Sequence, residues 1–410
     1  MSGRRFPPSS YAPIVAILSL LAIIVEAYGH NDGSGCYTSI VSFGDSLADT
    51  GNLVRIASQS HPPHFAFPPY GETFFGYPTG RCSDGRLVVD FIAEALGLPL
   101  LPPNFADQEE SFGDFQKGVN FAVAGATALD VSFFRERGLE NPFSNSTLGV
   151  QLGLFKQLLP SLCGSDSDCK EFLGNSLVLM GEIGGNDYNY PFLVGKNIRE
   201  IREYVPFIVN EIASAINELI NMGAVTILVP GNLPIGCLPV YLTSFETSDQ
   251  SQYDSHTGCL KWLNEFAEYH NVRLQTKLDE IRKLWPNVRI VYADYYHAAL
   301  RFFHSPTQFG FDGNGEVLKA CCGSDGPYNI NPSVSCGDPG ANLCDDPSMY
   351  VSWDGIHLTE AAYRWLFNSL FEDRYTVPAF RLSCPNAARK GNVLSPSLST
   401  GKIWRLFFSS

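Results

Sequence analysis

Five short apolar runs constrain this chain more than any other feature. They are Thr38–Phe43, Gly118–Ala124, Ser176–Glu182, Ala224–Val229 and Val288–Ala293. Each is rich in Val, Ile, Leu or Phe and nearly uninterrupted by charge. A strand wetted on one face alternates apolar and polar side chains, so runs like these belong in a parallel sheet covered on both faces. Long connections lie between them, and the clearest are helical. From Asn197 to Met222 the residues Ile198, Ile201, Val205, Ile208, Ile212, Ile216 and Leu219 recur at three- and four-residue spacing and make one buried face. Lys261 to Leu284, with Pro286 just beyond, and Thr359 to Leu370 are further helix candidates. Strand, helical connection and strand in repetition predict an α/β fold, whose ligand site lies beyond the carboxyl ends of the strands.

The chain has 410 residues, 45% of them hydrophobic, ample for a large core. The expected organisation is a signal peptide over 1–27, one domain over 28–384 and a poorly ordered tail over 385–410. Arg4 and Arg5, the apolar run Ala12 to Val25, and the small residues at Val25-Glu26-Ala27 carry the first expectation. No later stretch is apolar for long enough to span a bilayer, so the mature chain is expected to be exported, extracellular or vacuolar. A net charge of −14 repels phosphate backbones and argues against a nucleic-acid partner. All 11 cysteines lie after the expected cleavage point. Export makes them disulfide candidates, with Cys163–Cys169 and Cys237–Cys259 as plausible local pairs and at least one thiol left over. Their spacing does not suit zinc. Asn145-Ser146-Thr147 is an acceptor for N-glycosylation.

The residues at the run ends carry the chemistry. The first run stops at Gly44-Asp45-Ser46, the second at Ala124-Gly125, the third at Gly184-Gly185-Asn186-Asp187, and the fifth at Asp294-Tyr295-Tyr296-His297. Before the last helix stands Trp353-Asp354-Gly355-Ile356-His357. A serine needs a base to take its proton, and the base needs an acid to hold its tautomer. Asp354 and His357 are three apart, so one helical turn delivers both to one side. His357 is preferred as base to His297; His61 and His64 have no acid at short spacing. The backbone N–H groups of Ser46 and Gly125 and the side-chain amide of Asn186 are the candidate oxyanion donors, with Ser46 expected just ahead of a helix. The aromatic loop over 65–77 either shapes the pocket or packs on the sheet.

Together these motifs resemble the GDSL esterase/lipase family, the SGNH hydrolases, in its plant secreted branch. The resemblance is carried by FGDSLADTGN around Ser46, GVNFAVAGATALD around Gly125, GEIGGNDYNY around Asn186 and WDGIHLTEAAY around His357, and it spans residues from about 37 to about 384. It implies a flavodoxin-like three-layer α/β/α sandwich around a central five-stranded parallel sheet. It implies Ser46 as nucleophile, His357 as base, Asp354 as its partner, and Ser46, Gly125 and Asn186 as oxyanion hole. No cofactor or metal is required. The activity it implies is hydrolysis of carboxylic esters, small-molecule or lipid, through an acyl-enzyme, with acetyl or hydroxycinnamoyl esters in view. An acyltransferase on the same scaffold and a catalytically inactive apoplastic binding protein are the alternatives.

Overall fold

A computed structural model of the chain describes residues 37–57, 61–105, 115–139, 144–313, 315–372 and 375–382. The expected signal peptide and tail, and with them Cys36 and Cys384, lie outside the described residues.

Each apolar run supplies a strand: β1 (Ser39–Ser42), β2 (Gly118–Asn120), β3 (Ser176–Leu179), β4 (Thr226–Pro230) and β5 (Arg289–Ala293). They pair in parallel in the order β2-β1-β3-β4-β5. A sixth strand, β6 (Thr376–Val377), extends the sheet antiparallel to β5, with Ala293 opposite Thr376. The expectation of five strands missed it because a two-residue strand carries no periodicity.

Side chains alternate between the two faces of the sheet, as the strand period of two requires. Val41, Val178, Ile227, Val229, Ile290 and Tyr292 point to one side. There they meet the helices α2 (Leu148–Leu162), α3 (Val205–Met222) and α4 (Lys261–Leu284). Ile40, Leu177, Leu179, Leu228, Val291 and Ala293 point to the other side, against α1 (Val88–Ala95), α5 (Tyr295–His304) and α6 (Glu360–Phe371). The result is three layers, helices–sheet–helices.

The helix expected over Asn197 to Met222 is broken into Ile198–Arg202 and α3. Pro206 is the cause. It has no N–H to give the carbonyl of Arg202, and its ring crowds that carbonyl, so it fits only in the first turn of a new helix.

Both local cysteine pairs form, Cys163–Cys169 and Cys237–Cys259. Cys321–Cys344 and Cys322–Cys336 form as well. The latter two lie with Tyr70 and Trp353 in a separate small core. Backbone bonds from Cys321 N to Ser352 O (2.9 Å) and from Cys322 N to Trp353 O (2.7 Å) join this knot to the segment ahead of Asp354. Cys82 is the free thiol among the described residues.

Candidate active site

The loops after β1, β2 and β3 converge because glycine lets their backbones touch. A Cβ on Gly181 would lie 1.9 Å from the carbonyl oxygen of Phe43, and one on Gly44 would lie 3.0 Å from that of Glu182. Both glycines have positive φ, at 62° and 137°. Gln151 of α2 clamps the turn, its amide accepting from Gly44 N–H (2.9 Å) and donating to Gly44 O (2.8 Å). Sequence reasoning gave Gln151 no role, since a polar residue on an amphipathic helix reads as surface; here it is fully buried.

The acids of the motifs tie the loops together. Asp49 Oδ1 accepts the N–H groups of Gly51 (2.7 Å) and Asn52 (2.6 Å), and its Oδ2 accepts those of Leu53 (3.1 Å) and Ala124 (2.8 Å). It thereby fixes the residue before Gly125. Asp187 accepts from Ala128 (2.8 Å) and Leu129 (3.0 Å), fixing the far side of the same loop. Burial pushes Asp49 up to about 6 and Asp187 up to about 7, against the pull of these N–H groups. The helix expected directly after Ser46 is absent. A turn occupies 46–48, and a helix begins only at Asn52 (Asn52–Ile56), because Asp49 gathers the N–H groups of its first turn.

Ser46, Gly125, Asn186 and His357 line one cavity of about 140 Å³. Its other walls are mostly apolar and include Leu53, Phe65, Ala124, Tyr190, Leu193 and Ile356. Cys82 also lines it, with its thiol pushed well up by burial. A smaller recess of about 40 Å³ adjoins at Ser46 and Asn186 and reaches Asp45, Glu182 and Asn232.

Asp354 lies behind the imidazole. Its Oδ2 is 2.7 Å from His357 Nδ1, and its Oδ1 accepts the N–H groups of Ile356 (3.1 Å) and His357 (2.9 Å). Burial opposes its ionisation, yet His357 and these N–H groups outweigh burial and hold it at about 2. Burial also works against the imidazolium of His357, but the Asp354 carboxylate prevails and raises it above its ordinary value. The hydroxyl of Tyr70 donates to Asp354 Oδ2 at 2.9 Å. Tyr70 is 4% exposed and packs edge-on against Trp353.

The aromatic loop over 65–77 thus divides. Phe65 lines the cavity and Tyr70 holds Asp354, whereas Phe74 and Phe75 cover the guanidinium groups of Arg86 (3.9 Å) and Arg81 (4.8 Å). Tyr70 escaped sequence reasoning because nothing in a Pro-rich loop signals a contact with a residue near the other end of the chain. His297 makes a similar pair with Asp294 (2.8 Å), but it is more than half exposed and does not line the cavity of Ser46. His64 pairs with Asp338 at 3.3 Å and is equally outside it. Asn145 is exposed, while Thr147 caps α2 at Val150 N–H.

Asn186 is tightly held. Its Nδ2 donates to Asp45 Oδ2 (3.1 Å) and to Ala126 O (3.0 Å), and its Oδ1 accepts from Asn189 Nδ2 (3.4 Å). Asn189 in turn accepts from the hydroxyl of Tyr241.

A parallel sheet between two helical layers, with its polar cluster beyond the strand ends, is the SGNH hydrolase fold, and the comparisons place the chain within it. The model of the GDSL-like lipase/acylhydrolase family matches residues 40–370, and the chain belongs to that family. It is 55% identical to a GDSL esterase/lipase of Arabidopsis thaliana over 85% of this chain and 87% of that protein. To a second Arabidopsis GDSL esterase/lipase it is 52% identical over 92% of this chain and 94% of the other. To the sinapine esterase of Brassica napus it is 52% identical over 87% and 90%. The chain is accordingly a carboxylic ester hydrolase.

Proposed function

We propose that this chain is an exported serine esterase that cleaves esters of short or aromatic acids through an acyl-enzyme on Ser46. The observation that carries the reading is the single apolar cavity shared by Ser46, Gly125, Asn186 and His357, with Asp354 2.7 Å behind the imidazole. Ser46 Oγ attacks the ester carbonyl and His357 Nε2 takes its proton. The Asp354 carboxylate stabilises the imidazolium and keeps the other proton on Nδ1. The backbone N–H groups of Ser46 and Gly125 and the amide of Asn186 receive the negative oxygen; one such donor is worth about 3–4 kcal/mol of barrier. His357 then passes its proton to the departing alkoxide. Water repeats the sequence on the acyl-enzyme and regenerates Ser46.

Phe65 and Tyr190 among the cavity walls favour a flat aromatic acyl group, or a short one, over a long alkyl chain. The name of the Brassica relative agrees with an ester of a phenolic acid. Export is supported by the charged and apolar pattern ahead of residue 28 and by the four disulfides, and it makes Asn145 a candidate glycosylation site. The test compares wild type with Ser46→Ala on acetyl, hydroxycinnamoyl and long-chain esters, together with labelling by a fluorophosphonate probe. Wild type is expected to be labelled and to prefer the first two substrates, and Ser46→Ala to lose both labelling and hydrolysis. Equal hydrolysis by the two proteins would refute the assignment.

A further inference from the structure

Glu182 closes the third apolar run and is 6% exposed, yet nothing in the mechanism above uses it. Its backbone carbonyl accepts the N–H of Asp45 at 3.0 Å, which sets the two side chains beside each other behind the cavity. Both line the small recess next to Ser46 and Asn186, and their carboxyl groups hydrogen-bond to one another. Two carboxylates cannot do so, because each only accepts, and one must carry a proton.

The surrounding donors say which one. Asp45 accepts on both oxygens, from Leu47 N–H (2.9 Å) at Oδ1 and from the Asn186 amide (3.1 Å) at Oδ2. Glu182 has the N–H of Gly185. The proton therefore sits on Glu182. Burial, then the neighbouring Asp45 charge, pushes Glu182 well above the ordinary carboxylate range. The titratable groups that bear on it are Asp45, Asp187, Tyr188, Tyr241 and Tyr295, and the one cationic group near the pair, His357, acts on Asp45 and so favours the charge there. Gly185 makes room for the acid: a Cβ there would lie 2.9 Å from each Glu182 oxygen.

The consequence falls on Asn186. Both hydrogens of its amide are engaged, one on Ala126 O and one on Asp45 Oδ2. An Asp45 carboxylate that already shares the Glu182 proton accepts less strongly, so the second amide hydrogen can turn to a substrate oxygen. An ionised Glu182 would instead place two negative charges beside an oxyanion. We propose that Glu182 is a positioning residue: as a carboxylic acid it donates to Asp45 and, through Asp45, sets the Asn186 amide for the reacting carbonyl oxygen. This rests on the reading of Asn186 as an oxyanion donor.

The test uses the full mature chain with an acetyl or hydroxycinnamoyl ester. Glu182→Gln keeps a donor in the same place and is expected to keep kcat near wild type. Glu182→Leu removes the donor and is expected to lower kcat about a hundredfold, the cost of a misplaced catalytic group, with KM little changed. An infrared difference spectrum of wild type against Glu182→Gln at neutral pH is expected to show the C=O stretch of a protonated carboxyl, and it needs no Leu variant to fold. An ionised carboxylate in that spectrum, or a Glu182→Gln as slow as Glu182→Leu, would overturn the proposal. Asn186→Ala separates the levels. If it loses kcat and Glu182→Leu does not, this proposal alone fails; if Asn186→Ala keeps wild-type kcat, the oxyanion reading fails and takes the proposal with it.

Discussion

Replacing Asp354 by Asn tests the proposed base through its tautomer. Asp354 Oδ1 accepts two backbone N–H groups, from Ile356 at 3.1 Å and from His357 at 2.9 Å. An amide in the same place must keep its oxygen on those donors, so its NH2 goes to the Oδ2 position, 2.7 Å from His357 Nδ1. The imidazole must then offer Nδ1 a lone pair and carry its proton on Nε2. A ring protonated at Nε2 cannot accept the proton of Ser46. The substitution also removes the charge that stabilises the imidazolium. Geometry is otherwise preserved, since the side chains are isosteric and the Tyr70 hydroxyl rotates away. The expected loss in kcat is about 10⁴-fold, the size known for the same change in a Ser-His-Asp triad.

The assay is kcat on a short-chain p-nitrophenyl ester at saturating substrate, with the 15N shifts of the His357 ring read on the same samples. Wild type should show the proton on Nδ1, and Asp354→Asn should show it on Nε2. A variant within tenfold of wild type, or one that has lost activity with the proton still on Nδ1, would refute the tautomer argument.

Tyr70→Phe removes the hydroxyl that donates to Asp354 Oδ2 at 2.9 Å, a bond to a charged group worth about 1.5–3 kcal/mol at most. The bared carboxylate holds the imidazolium more strongly, so the acid limb of kcat/KM should move to higher pH; an unmoved limb would deny Tyr70 this role. Wild-type activity itself should fall as pH falls through the His357 pKa, which burial would lower but Asp354 raises above 6.5. A flat profile across that range would contradict His357 as base. Stability should run the other way. Asp49 at about 6, Asp187 at about 7 and His357 above 6.5 all bind more protons in the native state than in the unfolded chain. Stability from such groups is lost as pH rises from their unfolded values through their native ones, from about pH 4 to about pH 7 for the two aspartates, so Tm should be falling as neutral pH is approached. Below pH 6.5 buried His270, lowered by burial to about 4, acts with the opposite sign. A Tm that rises between pH 6.5 and pH 7 would be inconsistent with these burials.

The sheet was legible because its strands are buried on both faces: in a run such as Ser176–Leu179, Leu177, Val178 and Leu179 follow one another with no polar position to alternate with them. α4 was legible to the residue, since its buried face recurs at helical spacing from Leu263 to Ile281, with only His270 and Asn271 polar, and Pro286 lies just beyond its end. What escaped was set by tertiary contact alone. Thr376–Val377 becomes a strand only because the edge of β5 is there to pair with. Pro206 divides a helix whose apolar face continues on both sides of it, so the hydrophobic period ran through a break that backbone chemistry imposes. Tyr70 and Gln151 act on partners distant in sequence, and neither loop composition nor helical period points to them.

The site shows the same division for a deeper reason. Ser46, Asp354 and His357 are recognisable because the proposed chemistry needs particular residue types, a serine at a strand end and an acid three residues from a histidine. Asp45, Asp49 and Asp187 look like ordinary turn residues in the sequence, yet each is buried and bonded to backbone N–H groups of its own or a neighbouring loop. An exposed aspartate would satisfy a turn equally well. Only burial gives these bonds their weight, since a desolvated carboxylate must keep its donors and the donors cannot fall back on water. That explains why the motif extends so far past the serine. The segment from Gly44 to Asn52 supplies the hydroxyl that we propose as nucleophile. Its Asp45, Asp49 and Asn52 bond to Asn186, to the residue before Gly125 and to the strand that leads there, and so tie together the segments that line one cavity.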